Sequence, residues 1–579
     1  MIVHDLKDFY SEIKGKRVLI VVNYDIDAIC ACKILQTLFK TDYTLYTLVP
    51  VDVTSDLKLS VSENHLDEKY IIFINCGGTI DLVELLLPEE DITLFVLDSH
   101  RPLDVCNIYN PGQVKILSKI EQDIPAFTDI FTDDEEEESV DEESDDSEND
   151  YEDESEESGS RDAKRRRING QSSVKKKKRR EWEERRDMLL FQYMKCTFYG
   201  RSSALDLYEL AWKMSKDNFD LLWYAIVGLS EQLLLRKIGE SVYVKECGDV
   251  QNHIARLTHR SSQLNDEGRN TSVRIEFEND LRIALIRHWT VKASLTNSVY
   301  TATSLRLWTF QGEKRLHEML AEIGIPLVQC NQKYTSMDLV FRKEFQKSFV
   351  ELAKKYKLDK IEFVSFLMQH GFRAKYSATD FVYGLLALLQ SYNDDRPKAD
   401  CFLECLEALC RTKKEKLDQG IDLAKKLLTT TFKQVQNALE MKQIQNAGPF
   451  LYLVVQEGNA DPTLCNHPYG ILLLAEFAIR AFAESKGEKY KSLPLVISTP
   501  CIKDKSDVIA GEEEALCHIT GVAPLKQDSN INFFGQAFRR ASEKSLAPIT
   551  DVYFDCSVIK LNIKDRPRFL DALAVLLTQ

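Results

Sequence analysis

Three short apolar runs near the N-terminus constrain the fold of this 579-residue chain more than any other feature. The runs are Arg17–Val22, which is apolar after its first residue, Tyr70–Ile74 and Leu94–Leu97. The segment Ala28–Leu38, after the first run, has the spacing of a helix. Strands that are apolar throughout and alternate with helices are typical of a parallel sheet covered on both faces. We therefore predict an α/β domain over residues 1–132.

A strongly charged segment follows this domain. Of residues 133–157, 18 are Asp or Glu and none is Lys or Arg, so most of the net charge of −16 arises there. Such a segment cannot fold alone, because it has few apolar side chains and its charges repel each other. The charge then inverts in two basic clusters. We predict that residues 133–180 form one disordered, surface-exposed insertion.

The two basic clusters resemble a bipartite nuclear import signal, which indicates a nuclear protein. The alternative is a linker whose two halves balance each other's charge. The basic residues are Lys164, Arg165, Arg166, Arg167, Lys175, Lys176, Lys177, Lys178, Arg179 and Arg180. Four serines among the acidic residues would suit an acidophilic kinase. These candidate phosphorylation sites are Ser139, Ser144, Ser147 and Ser155.

The middle of the chain reads as mostly helical. We divide it into 181–310, a helical continuation of the first domain, and 311–444, a helical inserted or connecting region. The periodicity predicts helices over Ala204–Lys213, Phe219–Leu235, Asp280–Trp289 and Lys314–Leu320.

From about residue 445 the pattern becomes α/β again, which predicts a C-terminal α/β domain over 445–579. Strands are predicted at Phe450–Val455, Leu495–Ser498 and Asp507–Ala510. A final amphipathic helix is predicted over Arg566–Leu577.

Several classes of protein are excluded by simple features. No apolar run reaches the roughly 18 residues that a membrane span needs, so we expect no membrane association. The 14 cysteines lack the paired spacing of a zinc site. The GxxxxGK[ST] loop of ATP-hydrolysing proteins is missing from the sequence.

Polar side chains follow each of the three apolar strands. Asp25 and Asp27 follow the first, Asn75 the second, and Asp98 and His100 the third. The carboxyl ends of parallel strands lie side by side, where open α/β folds place their sites. Carboxylates with an imidazole could hold Mn or Mg and activate water. The alternative is that these groups satisfy loop amides and one another.

On these residues the chain resembles the DHH phosphoesterase superfamily, especially the RecJ single-strand exonucleases. The DxDG motif of that family falls on Asp25 and Asp27, its strand-end Asp on Asn75, and its Asp-His-His on Asp98, Ser99 and His100. Ala28 replaces the glycine, Asn75 is neutral, and Ser99 removes an imidazole. No partner is found for the Asp of the fourth motif. Because a two-metal site shares carboxylates between its ions, these losses should abolish the pair, and the alternative is a single weakly held ion. The residues Asp25, Asp27, Asn75, Asp98 and His100 are therefore a vestigial metal site.

The chain bears a closer resemblance to the cell division cycle protein 45 family, whose members are RecJ-like subunits of the replicative helicase. This resemblance spans nearly the whole chain. It rests on several motifs, which are Asp25–Leu35, Asp98–Pro102, Ala211-Trp212, Trp223–Leu229, Phe277–Arg282 and Arg287–Trp289. The acidic-then-basic insertion is a further shared feature. The resemblance implies a DHH-like parallel sheet domain, a helical middle region with an inserted domain, and a C-terminal DHH-associated α/β domain.

The same resemblance implies a non-catalytic role without a cofactor. The implied partners are the minichromosome maintenance helicase hexamer, the GINS complex, single-stranded DNA, and replication initiation and checkpoint factors. We expect a modestly basic groove for single-stranded DNA, with Arg101, Arg539 and Arg540 as candidate backbone contacts. Solvated surface arginines are the alternative for each. The alternative functions are an active Mn-dependent single-strand exonuclease, and a chromatin or repair scaffold.

Overall fold

The computed structural model describes residues 2–64, 68–119, 124–131, 161–264, 273–370, 374–392, 396–456, 468–501, 515–526 and 531–578. Two compact units are present, one formed by Met1–Ile120 with Thr197–Gln579 and the other by Glu121–Cys196. The acidic segment 133–157 lies outside the described residues, and so do Ser139, Ser144, Ser147 and Ser155. The predicted boundaries at 310 and 444 stay predictions.

A five-stranded parallel sheet forms the N-terminal part of the first unit. In spatial order its strands are Leu45–Val51, Arg17–Asn23, Tyr70–Ile74, Thr93–Leu97 and Val114–Ile116. Successive side chains point to opposite faces of a strand. Ile20 and Val22 belong to one apolar core, while Leu19 and Val21 belong to another. The predicted parallel sheet, covered on both faces, is confirmed.

Helices cover both faces of this sheet. Leu6–Ile13 and Ile26–Asp42 contribute to the first core, together with Ser203–Lys213 and Phe219–Leu234 from later in the chain. Leu57 and Leu82 contribute to the second core. The short helices of this part are Thr54–Asn64, Leu82–Leu86 and Val105–Tyr109.

The middle of the chain is largely helical, as predicted. Its α-helices are Ser203–Lys213, Phe219–Leu234, Glu240–Leu264, Val291–Asn297, Val299–Leu305, Phe310–Ile323, Leu327–Cys330, Leu339–Ala353, Ala378–Leu389, Lys398–Ala408 and Lys414–Glu440. In the described part of this region, 3₁₀ turns occur at Tyr334–Ser336 and Arg411–Lys413. The helices predicted over Ala204–Lys213, Phe219–Leu235 and Lys314–Leu320 are confirmed.

The helix predicted over Asp280–Trp289 is wrong. Strand Val273–Leu281 ends there and pairs with Glu362–His370, which pairs in turn with Ala374–Ser377 in an antiparallel sheet. Leu285 has a φ of 54°, which a helix interior cannot accommodate. The apolar spacing of residues 281–286 arises from a turn buried against the core.

The C-terminal part contains a six-stranded mixed sheet. In spatial order its strands are Gln445–Asn446, Leu451–Val454, Leu495–Pro500, Leu516–Val522, Val558–Asn562 and Ile549–Val552. The helices are Pro468–Lys486, Phe534–Ser545 and Arg566–Thr578, with a 3₁₀ turn at Glu488–Ser492. The first two predicted strands and the final helix are confirmed. Predicted strand Asp507–Ala510 lies outside the described residues.

The second unit contains helices Phe127–Ile130 and Arg161–Met194. The basic half of the predicted disordered insertion, residues 161–180, is therefore helical. Lys, Arg and Glu are good helix formers. A pair four residues apart, Arg179 and Glu183 with a 3.1 Å contact, adds support. Across the described residues, no helix is both long and apolar enough to cross a bilayer.

Candidate functional site

The predicted polar residues meet at the carboxyl end of the parallel sheet. Asp25 caps helix Ile26–Asp42, and its Oδ1 accepts a 2.6 Å hydrogen bond from the Ala28 N–H. Asp27 lies in the first turn of that helix. Asn75 and Asp98 follow the next two strands. All four side chains are buried.

The Asn75 amide lies between the two aspartates. Its Nδ2 donates to Asp25 Oδ2 at 3.0 Å and to Asp27 Oδ2 at 3.1 Å. Its Oδ1 accepts from the Ser99 N–H at 3.1 Å and from Ser203 Oγ at 2.6 Å. An amide can donate and accept at once, whereas an ionised carboxylate only accepts. Asn75 therefore satisfies two carboxylates that a third carboxylate would repel.

The start of helix Ser203–Lys213 closes the site over Asp27. The Ser203 N–H donates to Asp27 Oδ2 at 2.9 Å, and the Ala204 N–H donates to Oδ1 at 3.1 Å. The Ser202 hydroxyl also donates to Oδ1. Free N–H groups at a helix start favour a carboxylate. Burial and the nearby Asp25 carboxylate nevertheless raise the pKa of Asp27.

Asp98 and His100 form a second buried cluster. Asp98 Oδ1 lies 2.7 Å from His100 Nδ1 and accepts from the His100 backbone N–H at 2.9 Å. Its Oδ2 accepts from the Gly78 N–H at 2.8 Å. Although burial opposes it, the interaction with His100 lowers the pKa of Asp98. Burial also lowers the pKa of His100, but the negative charge of Asp98 outweighs burial and raises this pKa overall.

A buried ion pair from the helical region completes the site's electrostatics. Lys237 Nζ lies 2.7 Å from Glu231 Oε1, with side chains 6% and 0% exposed. Burial raises the pKa of Glu231 to about 7, and the charges of Asp25 and Asp27 add to this shift. Although burial opposes it, the charges of Glu231, Asp25 and Asp27 raise the pKa of Lys237. The ammonium group therefore supplies positive charge to three buried carboxyl groups.

These side chains do not fit a metal pair. The carboxylate oxygens of Asp25 and Asp27 accept from amide, hydroxyl and backbone donors, and the group between them is the neutral Asn75 amide and not a third carboxylate that two ions could share. A metal ion could also be held by three or more His, Cys, Asp or Glu side chains whose ligand atoms lie within 4.8 Å of one another. Among the described residues, one such group is present. That group is Asp81, Asp104 and Cys106, outside this site.

The arginine candidates for DNA contact have different surroundings. Arg101 was expected at an accessible groove, but it is 4% exposed. Its guanidinium donates to the carbonyls of Asp98 at 2.7 Å and His100 at 2.8 Å, so it holds the loop after strand Thr93–Leu97. Arg539 and Arg540 are exposed on helix Phe534–Ser545.

The predicted import signal falls on helix Arg161–Met194. Lys177, Arg179 and Arg180 are exposed there. The side chains of the other basic residues, 164–167, 175, 176 and 178, lie outside the described part.

Sequence reasoning missed the residues that the helical region adds to the site. These are Ser202, Ser203, Gly228, Glu231 and Lys237. Gly228 is required by close packing, because a Cβ atom there would lie 2.6 Å from Asp27 Oδ1. The Ser-Ser pair before a helical run is a capping signal that could have identified Ser202. Nothing local distinguishes Glu231 or Lys237 from surface charges.

This chain is similar to known proteins over nearly its whole length. The CDC45 family model matches residues 18–576. The mouse cell division control protein 45 homolog is 39% identical over 576 residues, covering 99% of each chain. The human homolog is 39% identical over 586 residues, covering 100% of each. The crystal structure of CDC45 from Entamoeba histolytica has the same fold, with a TM-score of 0.69 at 22% identity over 100% of both chains. Since the family model matches nearly the whole sequence and two curated relatives align end to end, this chain belongs to the CDC45 family.

Proposed function

We propose that this chain is a non-catalytic subunit of the replicative DNA helicase, required for initiation and elongation of chromosomal replication. In this role it braces the motor ring beside the minichromosome maintenance hexamer and the GINS complex, and it contacts single-stranded DNA. Membership of the CDC45 family supports the replication role. The Asn75 amide between Asp25 and Asp27 is the observation that carries the non-catalytic part.

The loss of chemistry follows from how the carboxylates are used. Metal-assisted phosphodiester hydrolysis needs carboxylate oxygens that face the ions and an open position for water. Here Asp27 accepts from Ser202, Ser203, Ala204 and Asn75, and its exposed fraction is 1%. Substrate and water have no access to such a group. The remaining activity is therefore binding.

A DNA contact on the C-terminal part is the finer element of the proposal. Arg539 and Arg540 are adjacent and exposed on one helix, where guanidinium groups can reach phosphates. Binding through phosphates should weaken as salt increases. We expect a double Arg539→Gln, Arg540→Gln variant to bind an oligodeoxynucleotide more weakly and with a smaller salt dependence.

Nuclear import through Lys164–Arg167 and Lys175–Arg180 belongs to the same proposal. Replication takes place on chromosomes, so the protein must reach the nucleus. Replication initiation and checkpoint factors are the proposed transient partners, with Ser139, Ser144, Ser147 and Ser155 as sites of modification.

The decisive experiment is affinity purification of the full chain from nuclease-treated S-phase nuclear extract, followed by mass spectrometry. We expect minichromosome maintenance subunits and GINS subunits in comparable amounts. Recovery of the protein alone would contradict the helicase role. Association with chromatin throughout the cell cycle, with unrelated partners, would favour a scaffold.

A nuclease assay distinguishes the non-catalytic role from the alternative of an active Mn-dependent exonuclease. The retained Asp25, Asp27, Asp98 and His100 are the observation that favours an active exonuclease. Degradation of single strands with Mn²⁺ that disappears in Asp27→Ala would establish that alternative. Degradation that persists in Asp27→Ala would identify a contaminating nuclease.

A further inference from the structure

A cleft that borders the vestigial metal site at Lys237 and Tyr199 brings together arginine side chains from three distant parts of the chain. It is lined by Arg236, after helix Phe219–Leu234, by Arg282, after strand Val273–Leu281, and by Arg480, on helix Pro468–Lys486. Its empty space is about 1580 Å³ with its open mouth included. The cleft is open to solvent, so a ligand can enter it.

The three guanidinium groups lie in a cleft that is also lined by two carboxylates, Glu476 and Asp555. Arg236 contacts both oxygens of Glu476, at 2.9 and 3.1 Å, and Arg480 Nε reaches the same carboxylate at 3.4 Å. Burial, with repulsion from Arg236 and Arg282, lowers the pKa of Arg480 although Glu476 opposes the shift. Arg236 and Arg480 therefore share a single carboxylate.

Arg282 is the least satisfied member of the group. One of its amino groups pairs with the half-exposed Glu240 at 2.8 Å, and its guanidinium lies over the Phe363 ring at 5.3 Å. Its Nε is buried and has no hydrogen-bond partner among the described residues. A buried donor without a partner costs free energy that an added acceptor would recover.

Part of the cleft wall is apolar or aromatic, while other lining residues, such as Lys237, Asn532 and Asp555, are polar or charged. The apolar and aromatic part is lined by Leu234, Val299, Tyr300, Phe363, Pro524 and Ile531. Planar guanidinium groups match the oxygens of a phosphate, and an apolar wall suits a flat ring. Guanidinium groups beside such a wall are complementary to a nucleotide, in which a sugar joins the phosphate to the base.

We propose that this cleft is a nucleotide-binding site, in which Arg282, Arg480 and Arg236 hold the phosphate and the apolar wall holds the base. The ligand is either a free nucleotide or the phosphorylated terminal nucleotide of a DNA strand, which share this chemistry. Its three arginines are not residues of the vestigial metal site, and nucleotide binding there goes beyond the helicase role. It does not depend on recovery of helicase partners, so the two proposals can fail independently.

The test is isothermal titration calorimetry of the full chain with dAMP, deoxyadenosine, inorganic phosphate and a 5′-phosphorylated oligodeoxynucleotide. We expect dAMP to bind and deoxyadenosine to bind about tenfold more weakly or worse, because a charge-assisted hydrogen bond is lost. If the oligodeoxynucleotide binds and dAMP displaces it, the strand end is the natural source. If neither dAMP nor the oligodeoxynucleotide binds, the proposal is overturned.

Three variants separate binding from structure. Arg282→Gln should weaken dAMP binding about tenfold or more. Glu476→Gln should tighten it, because two guanidinium groups lose their shared competitor; a purely structural role for Glu476 would not give tighter binding. Arg315→Gln, on the exposed face of helix Phe310–Ile323, is the matched control and should bind like the parent chain. Thermal melting checks that each variant is folded. Equal affinity in Arg282→Gln, or weaker binding in Glu476→Gln, would overturn the assignment.

Discussion

At the scale of single residues, the exchange of a carboxylate for an amide decides the character of the site. Asn75 gives two hydrogen bonds to aspartates and accepts two from Ser99 and Ser203. An aspartate in its place would find two carboxylates within hydrogen-bond distance. Buried like charges disfavour their ionised forms. The present site is thus stable because Asn75 is neutral.

Asn75→Asp should lower the free energy of unfolding by about 2–4 kcal/mol at pH 7, because a third buried charge replaces a donor. The loss should shrink at pH 5, where one carboxyl takes up a proton. Urea denaturation at both pH values measures this. Asn218→Asp is the matched control: Asn218 caps helix Phe219–Leu234 by accepting from the Leu221 N–H through Oδ1, and an aspartate can do the same. Equal losses in the two variants would contradict the argument.

The Glu231–Lys237 pair gives a second prediction at this scale. Lys237→Met should destabilise the fold by about 3–5 kcal/mol at pH 8, since a buried carboxylate loses its partner. The pKa of Glu231, raised to about 7, lies above that of an unfolded glutamate, so the folded state holds a proton that the unfolded state has released. The stability that protonated Glu231 contributes therefore falls as the pH rises from the pKa of an unfolded glutamate to about 7.

We accordingly expect a smaller loss for Lys237→Met at pH 5.5 than at pH 8. The double variant Glu231→Gln, Lys237→Met should recover much of the lost stability, because no unpaired charge remains. Chemical denaturation of the single and double variants at the two pH values measures this. A double variant that is no more stable than Lys237→Met would show that packing, not charge, explains the loss.

At the scale of elements, the site depends on close contact between two helices and the sheet end. Helix Phe219–Leu234 passes the Asp27 carboxylate at Gly228, and helix Ser203–Lys213 presents its first N–H groups to the same side chain. A Cβ atom at Gly228 would lie 2.6 Å from Asp27 Oδ1 and 2.9 Å from the Ala204 Cβ. The glycine is therefore set by packing and not by backbone conformation.

Gly228→Ala should cost about 1–3 kcal/mol through overpacking, although alanine is the better helix former. Gly248→Ala is the matched control in helix Glu240–Leu264, where an added Cβ would meet nothing within 4 Å. This second change should stabilise by about 0.5–1 kcal/mol. Thermal or urea unfolding gives both values, and a stabilising Gly228→Ala would contradict the described packing.

Elements with a strong local signal were predictable, and the failures have a common cause. Strands Arg17–Asn23 and Tyr70–Ile74 are apolar throughout, so their burial on both faces could be inferred. Strand Val273–Leu281 was missed because its partner, Glu362–His370, lies about 90 residues later and leaves no local mark. In the turn after it, residues 281–286, the apolar side chains have a spacing that is also typical of a helix.

At the scale of the whole molecule, the N-terminal and C-terminal parts form one compact unit. Thr54 Oγ1 donates to the Val552 carbonyl at 2.8 Å, and Lys398 pairs with Asp52 at 2.9 Å. Strand His100–Arg101 pairs with Phe198–Tyr199. These contacts join segments on either side of residues 121–196.

A trypsin nick at exposed Lys177, Arg179 or Arg180 should therefore leave the two fragments associated. The nicked protein should elute as a single species in size-exclusion chromatography and melt within a few degrees of the intact chain. As a control, the nicked protein is warmed to a temperature below its melting transition and run again, to test whether weakly associated fragments separate. Separation of the fragments under native conditions would contradict a shared core.

The sequence by itself determined the parallel sheet, most of the helices, and the gathering of Asp25, Asp27, Asn75, Asp98 and His100, because these follow from local apolar patterns and from the geometry of parallel strands. Only the tertiary structure decided what those residues do. Ser202, Ser203, Glu231 and Lys237 reach the site from more than 170 residues beyond Asp27. Arg236, Arg282 and Arg480 meet across an even longer stretch of chain. Such contacts arise from packing between distant segments, and no local pattern of residue types records them.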